Sequence, residues 1–313
     1  AGRTDMTTIA WIGLGHMGIP MTAHLVAAGH TVRGFDLSPA ACVAAAAHGV
    51  TIATSMTDAL HGAEAVFTSL PMPTHVRAVY DGPGGIWANA DPRAFLMDTS
   101  TVDVETSRWC HEGSRAADFA FVDAPVSGGT AGADAGTLTF MLGGADDNVE
   151  RAAGYVAPMA GSVIRCGGDG NGIAAKLVNN MMLLIDVMAC AEGSQLAASL
   201  GLDAKTFWEV ANVSSGASWP QAKWYPVPGV VPTAAANFNF DASFSGNLAR
   251  KDMSLAVQAG DETGVNLPAA ALALSQLDRL VEDGLGEKDC TLVTLYATAD
   301  GTLAGYDPAL DER

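Results

Sequence analysis

The stretch Thr8-Ile9-Ala10-Trp11-Ile12-Gly13-Leu14-Gly15-His16-Met17-Gly18 decides the fold. A short apolar run ends in glycines spaced Gly-x-Gly-x-x-Gly, and an Ala-rich helical pattern follows over 17–28. In that setting the first glycine permits a tight turn. The second lets the backbone approach a pyrophosphate, and the third lets helix and strand pack closely. Phosphates need no lysine there, because a helix N-terminus presents unpaired N–H groups. Gly13, Leu14, Gly15, His16, Met17 and Gly18 are therefore assigned to a dinucleotide. Asp36 ends the next apolar run, eighteen residues after Gly18, where a carboxylate accepts hydrogen bonds from the adenosine ribose. Its charge repels a 2′-phosphate, so NAD is favoured over NADP. Arg33 points elsewhere if the strand alternates.

Outward from this unit, short β-like runs lie at 8–13, 31–36, 65–70, 95–98, 119–123, 137–142 and 163–166. Helical patterns such as 17–28 and 104–117 separate most of them. Such alternation predicts a mostly parallel sheet covered on both faces, an α/β domain of Rossmann type. The character changes at the glycine-rich stretch 167–172 (GGDGNG). Helical patterns then run over about 172–200, 203–212, 246–263, 268–283 and 288–297, with no run of alternating strands. The domains are read as 1–168, dinucleotide-binding, and 169–313, all-α. Residues 219–240 (WPQAKWYPVPGVVPTAAANFNF) hold four prolines and read as a long ordered loop, a feature that usually serves function.

The 313 residues suffice for two domains. Sixteen Lys and Arg against 34 Asp and Glu leave a net charge of −18. A surface this acidic repels nucleic acid and anionic membranes. Five dispersed cysteines without a Cys-x-x-Cys pair read as reduced thiols of a cytoplasmic protein, with neither a disulfide framework nor a metal site. Residues 1–7 are polar and show no secretory signal. The apolar run 177–185 is too short to span a bilayer and reads as a buried helix.

Leu70-Pro71 and Thr99-Ser100-Thr101 each follow a β run, which places them at the C-terminal edge of the sheet, over the cofactor. Ser127-Gly128-Gly129, in Asp123-Ala124-Pro125-Val126-Ser127-Gly128-Gly129-Thr130, follows another. Its backbone N–H groups and hydroxyl can cradle a small carboxylate. Lys176 is the first lysine of the chain, and every histidine lies at or before His111. A proton shuttle from the later half therefore falls to lysine. Burial and a nearby nicotinamide cation both depress a lysine pKa, so Lys176 can take the hydroxyl proton of an alcohol and return it in reverse. Asn180 shares its helix face and can hold the same oxygen. Gly172 is expected to leave that face bare for a ligand. Lys251-Asp252 is a second polar break in an apolar region.

These motifs resemble the β-hydroxyacid dehydrogenases, most closely the 3-hydroxyisobutyrate dehydrogenase branch. The resemblance runs from about residue 9 to 296. It is carried by GLGHMG (13–18), DAPVSGG (123–129), GTLTFMLGG (136–144), GIAAKLVNNMM (172–182) and RKDMSLA (250–256). The segment VSSGASWPQAKWYPVPGV (213–230) looks like the hydroxyisobutyrate branch in particular. The resemblance implies a Rossmann-type domain and an all-helical C-terminal domain joined by a long helix. It implies Lys176 as the catalytic lysine, with Asn180 and Ser127 beside it, and a substrate carboxylate at Ser127, Gly128 and Gly129. Leu70, Pro71, His75, Thr101 and Lys251 fall at cofactor-contacting positions. It further implies NAD-dependent oxidation of (S)-3-hydroxyisobutyrate to methylmalonate semialdehyde in valine catabolism, by a homodimer or homotetramer. His16, Arg250, Trp219 and Trp224 depart from the family pattern. Tartronate semialdehyde reductases resemble the chain less, since they tend to carry Asn-Arg where Asp36-Leu37 stands. A 3-hydroxypropionate or serine dehydrogenase keeps the chemistry and changes the acid. Imine reductases usually replace the lysine, and a non-catalytic NAD-binding protein has no need of the set Ser127, Lys176 and Asn180.

Overall fold

The computed structural model describes residues 6–311. The first five, part of the polar terminus read above, lie outside them. In chain order come β1 (Thr8–Ile12), α1 (Gly18–Ala27), β2 (Thr31–Phe35), α2 (Pro39–Ala46), β3 (Thr51–Ile52), α3 (Met56–Leu60), β4 (Ala65–Thr68), α4 (Pro73–Tyr80), α5 (Ile86–Asn89), β5 (Phe95–Asp98) and α6 (Val104–Ala116). Then follow β6 (Ala120–Asp123), β7 (Val126–Ser127), α7 (Gly129–Ala135), β8 (Leu138–Gly143), α8 (Asp146–Val156), β9 (Ala160–Gly167) and α9 (Asn171–Ser199). The chain closes with α10 (Ala204–Asn212), α11 (Trp219–Lys223), α12 (Gly246–Thr263), α13 (Pro268–Glu282) and a 3₁₀ helix, Cys290–Ala297.

It divides into two compact units, Ala1–Lys176 and Leu177–Arg313. The first is one sheet in the order β3-β2-β1-β4-β5-β6-β8-β7, with β9 beside β8. Strands β1 to β6 run parallel, whereas β8 opposes β6 and β7. The order 3-2-1-4-5-6 reverses between β1 and β4, which is where such sheets bind ligands at their carboxyl ends. Strands β4 and β5 are buried at every residue, as covered parallel strands must be. Trp11 stacks on Phe67 at 4.8 Å in the core. Strand β7 was not expected from the sequence: two residues are too few to show a period, and only pairing with β8 extends them.

The second unit is helical. Leu184, Val187 and Ala191 of α9 meet Ala249 and Met253 of α12 and Leu277 and Leu280 of α13 in its core. By length and composition α9 could cross a membrane, but these packed side chains give its apolarity a structural reason. Ser245 caps α12 through Leu248 N, and Gly264 closes it in the left-handed conformation. Two expectations change. The helical pattern 288–297 forms a 3₁₀ helix instead. The loop 219–240 contains the short helix α11 and a 3₁₀ turn, Ala235–Asn237.

Asp289, 1% exposed, organises this end of the unit. One carboxylate oxygen accepts from Ser243 N, Ser243 Oγ and Phe244 N, and the other from Thr291 N and Oγ1, at 2.7 to 3.1 Å. Asp289→Ala strands these donors and should lower stability by about 3–5 kcal/mol. Chemical denaturation reads the change; a loss below about 1 kcal/mol would mean that the donors find other partners.

Candidate active site

The glycine loop joins β1 to α1. Gly13 has φ +93°, and a Cβ there would stand 2.2 Å from the carbonyl oxygen of Ser69; any side chain would push the β1 and β4 loops apart. Gly15, also left-handed, faces open space. Helix α1 has no side-chain cap at Met17, and among the described residues no acceptor pairs with the N–H groups of His16 and Met17. Open space above an uncapped helix N-terminus fits a diphosphate. Asp36 sits beside the loop, where one carboxylate oxygen accepts from Leu14 N and the other from Ser38 N, both at 2.7 Å. Each oxygen keeps lone-pair capacity for a ribose hydroxyl. Arg33 turns away and donates to the carbonyl oxygens of Asp58 and His61. These residues fit a nicotinamide dinucleotide.

A second stretch at the carboxyl ends of the strands is set by a residue given no role from the sequence. Asp98, 2% exposed, accepts on one oxygen from Thr68 Oγ1 (2.6 Å), Ser100 Oγ (2.6 Å) and Ser100 N (3.2 Å). Ser100 Oγ in turn accepts from Leu70 N at 2.8 Å. The Leu70-Pro71 loop is thus tied to the end of β5, just ahead of Thr101. Burial pushes the Asp98 carboxyl above its ordinary range, against the pull of the Ser100 and Thr68 hydrogen bonds. His75 lies exposed in the first turn of α4.

The Ser127 loop is shaped by pairing. Ser127 opposes Thr139 of β8, Gly128 and Gly129 take φ +133° and +63°, and α7 starts at Gly128 with no side-chain cap. Upstream, the Asp123 carboxylate accepts from Ile173 N at 2.8 Å and Gly170 N at 3.0 Å. The end of β6 therefore caps the helix that carries Lys176. Gly172 has a different purpose from the one expected. A Cβ there would stand 2.4 Å from the carbonyl oxygen of Met141 and 2.7 Å from Asp123 Oδ2. Its bare face receives the sheet, not a ligand.

Lys176 is 8% exposed and Asn180 3%, four residues apart in α9. In the second unit Asn180 Nδ2 donates to Asp252 Oδ2 at 2.7 Å, and Asn179 Nδ2 donates to Asn180 Oδ1 at 3.1 Å. Lys251 Nζ lies 3.1 Å from Asp252 Oδ1. Asp252, buried at 4% exposure, therefore sets which way the Asn180 amide faces. The legible hint was an acidic residue within the apolar pattern of α12. Trp219 and Trp224 pack edge to face at 4.8 Å. Burial pushes the thiols of Cys110 and Cys290 up, and that of Cys190 to about 11, which removes them as nucleophiles.

A glycine loop at the switch point of a doubly wound sheet, with a helical second unit, fits the class of nicotinamide-dinucleotide-dependent dehydrogenases. Residues 8–168 match the family described as the NAD binding domain of 6-phosphogluconate dehydrogenase. Residues 170–296 match that described as NAD-binding of NADP-dependent 3-hydroxyisobutyrate dehydrogenase. A protein of Mycobacterium tuberculosis H37Rv named "Probable 3-hydroxyisobutyrate dehydrogenase" is 42% identical over 94% of this chain and 100% of its own. The NAD-dependent L-serine dehydrogenase of Pseudomonas aeruginosa is 38% identical over 92% of this chain and 97% of its own. A solved structure of M. tuberculosis 3-hydroxyisobutyrate dehydrogenase with L-serine superposes with TM-score 0.88 at 41% identity, over 94% of this chain and 100% of that one. The chain belongs to the β-hydroxyacid dehydrogenase family and is an NAD-dependent hydroxyacid dehydrogenase.

Raising the Asp98 pKa carries a sign. The folded state holds that proton more tightly than the unfolded state, so this carboxyl's contribution to stability falls as pH rises from about 4 through its folded pKa. Asp98→Asn keeps an acceptor oxygen and removes the titration. Its melting temperature relative to the parent should therefore rise between about pH 4 and pH 8. A pH-independent difference would show that Asp98 titrates alike in both states.

Proposed function

We propose that the chain oxidises (S)-3-hydroxyisobutyrate to methylmalonate semialdehyde with NAD⁺, as a step of valine breakdown. Lys176 acts as general acid/base. Ser127, Gly128 and Gly129 take the substrate carboxylate through a hydroxyl and backbone N–H groups, and Asn180 holds the reacting oxygen. Gly13 to Gly18, Asp36, Leu70, Pro71, His75, Thr101 and Lys251 serve the dinucleotide. NAD⁺, when bound, supplies the hydride acceptor. Lys176 Nζ takes the proton of the C3 hydroxyl as the C3–H bond breaks, and returns it in the reverse direction. The observation that carries this reading is the buried Lys176 on a helix capped by Asp123, the residue that leads into the Ser127 loop. Asp36, with Arg33 turned away, supports NAD over NADP.

A second reading changes only the acid. L-serine carries the same CH₂OH group two bonds from a carboxylate, with an amino group where hydroxyisobutyrate has a methyl. The name of the Pseudomonas relative and the L-serine that accompanies the Mycobacterium structure favour it. One methyl group is worth about 1–3 kcal/mol of discrimination, so overlap between such acids is expected. Five unpaired cysteines suit a cytoplasmic setting. Exposed apolar side chains such as Val178, Met182 and Leu196 suit assembly as a homodimer or homotetramer.

The deciding experiment is the initial rate of NADH formation with (S)-3-hydroxyisobutyrate, 3-hydroxypropionate, L-serine and D-glycerate in parallel. The highest kcat/KM is expected for hydroxyisobutyrate; a higher value for L-serine selects the second reading. Lys176→Ala should lower turnover by roughly 10²–10⁴ and leave NADH binding nearly unchanged, and unchanged turnover would remove the lysine from the reaction. Asp36→Ala should narrow the ratio of kcat/KM for NAD⁺ over NADP⁺. If that ratio stays put, the ribose contact lies elsewhere.

A further inference from the structure

His111 lies on the buried face of α6, 4% exposed, with its ring edge-on to Phe121 at 4.7 Å. Its Nε2 is 2.7 Å from Asp123 Oδ1, and a carboxylate only accepts, so Nε2 donates. Its Nδ1 is 3.2 Å from Asp169 Oδ1, and Arg115 Nη2 is 2.5 Å from Asp169 Oδ2. Asp123, 1% exposed, thus takes three hydrogen bonds. One comes from His111 and two come from the backbone at the start of α9, Gly170 N and Ile173 N. The space around this carboxylate is closed. A Cβ on Gly143 would stand 2.6 Å from Asp123 Oδ1, and one on Gly172 2.7 Å from Oδ2. Lys176 follows Ile173 by one helical turn. On the other side, Asp123 leads through Ala124, whose N donates to the carbonyl oxygen of Asp98 at 2.8 Å, into the paired Ser127.

We propose that His111 is a positioning residue for the dehydrogenase reaction: it presses the Asp123 carboxylate onto the first turn of α9 and so sets Lys176 in register with the Ser127 loop. The inference rests on the reading of Lys176 as the acid/base. Without the His111 donor, Asp123 keeps two backbone partners but Oδ1 is left one donor short in a closed space, and the hold on the first turn of α9 slackens. A shift of about 1 Å at a group that must meet a proton costs up to about 10²-fold in rate, while the glycine loop, on β1 and α1, is untouched. His111 therefore governs kcat and leaves the KM for NAD⁺ alone.

The test is a double-mutant cycle in the full-length enzyme, with single-turnover NADH formation from (S)-3-hydroxyisobutyrate, or from whichever hydroxyacid the parent turns over fastest. His111→Leu should lower the rate by roughly tenfold to a hundredfold with the KM for NAD⁺ changed by less than about twofold. His111→Gln places an amide N–H near the position of Nε2 and should recover most of the rate. In the Lys176→Ala background, His111→Leu should have an effect of less than about twofold, because a residue that acts through Lys176 has nothing left to position. Equal fold-losses in both backgrounds would overturn the proposal, as would a His111→Gln enzyme as slow as His111→Leu. Should His111→Leu fail to fold, Asp123→Asn, which keeps the volume and removes one acceptor, must show the same dependence on Lys176. A Lys176→Ala enzyme that turns over at the parent rate sinks the acid/base reading itself, a result distinct from additive losses in a cycle where Lys176→Ala is slow.

Discussion

The Asp123 carboxylate is the point on which the packing of α6 and the start of α9 against the end of β6 depends. A buried ionised carboxylate is costly unless its lone pairs are filled. Here His111 and two backbone N–H groups at the start of α9 fill them. Those partners come from two separate stretches of chain: α6, and the turn that leads into the first residues of α9. Each must lie against the end of β6 at once. Gly143 and Gly172 are glycines because any side chain would occupy the carboxylate's place. The division of the chain at Lys176 has the same origin, since the first turns of α9 are fastened to the sheet before the helix continues into the second unit.

The cofactor edge shows the same economy. A net charge of −18 is compatible with a bound diphosphate, because the uncapped N-terminus of α1 and the open space at Gly15 offer backbone N–H groups at the glycine loop. Asp36 shapes the loop through Leu14 N while retaining acceptors for ribose. Asp98 ties Thr68 to Ser100, and Ser100 ties Leu70. In the second unit Asp252 orients Asn180. The recurrent device is a buried carboxylate that spends its lone pairs on positioning rather than on substrate.

Much of this was legible in the sequence because its signals are local. The glycine spacing, the strand–helix alternation and the turn at 167–172 each declare themselves within a dozen residues, and the sheet follows them. Lys176, Asn180 and Ser127 stood out as polar residues in apolar or glycine-rich settings. What stayed hidden has long-range causes. Strand β7 exists only by pairing with β8. Gly172 looked like an opening for a ligand because its neighbour, the Met141 carbonyl, lies 31 residues away in sequence. Within motifs already quoted, Asp123 and Asp252 carried no mark of the partners they hold.

By itself, then, the sequence determined the class of fold and the family, and it set apart the glycine loop and Lys176 as candidates, since periodicity, turn chemistry and a lysine in an apolar run are properties of short segments. Only the tertiary structure decided how those groups are held. The contacts that hold them join His111 to Asp123, Asp123 to Ile173 fifty residues on, and Asn180 to Asp252 seventy-two residues on. Such pairs are selected by packing and by the cost of leaving a buried carboxylate unpaired, and neither is written in the neighbourhood of the residues concerned.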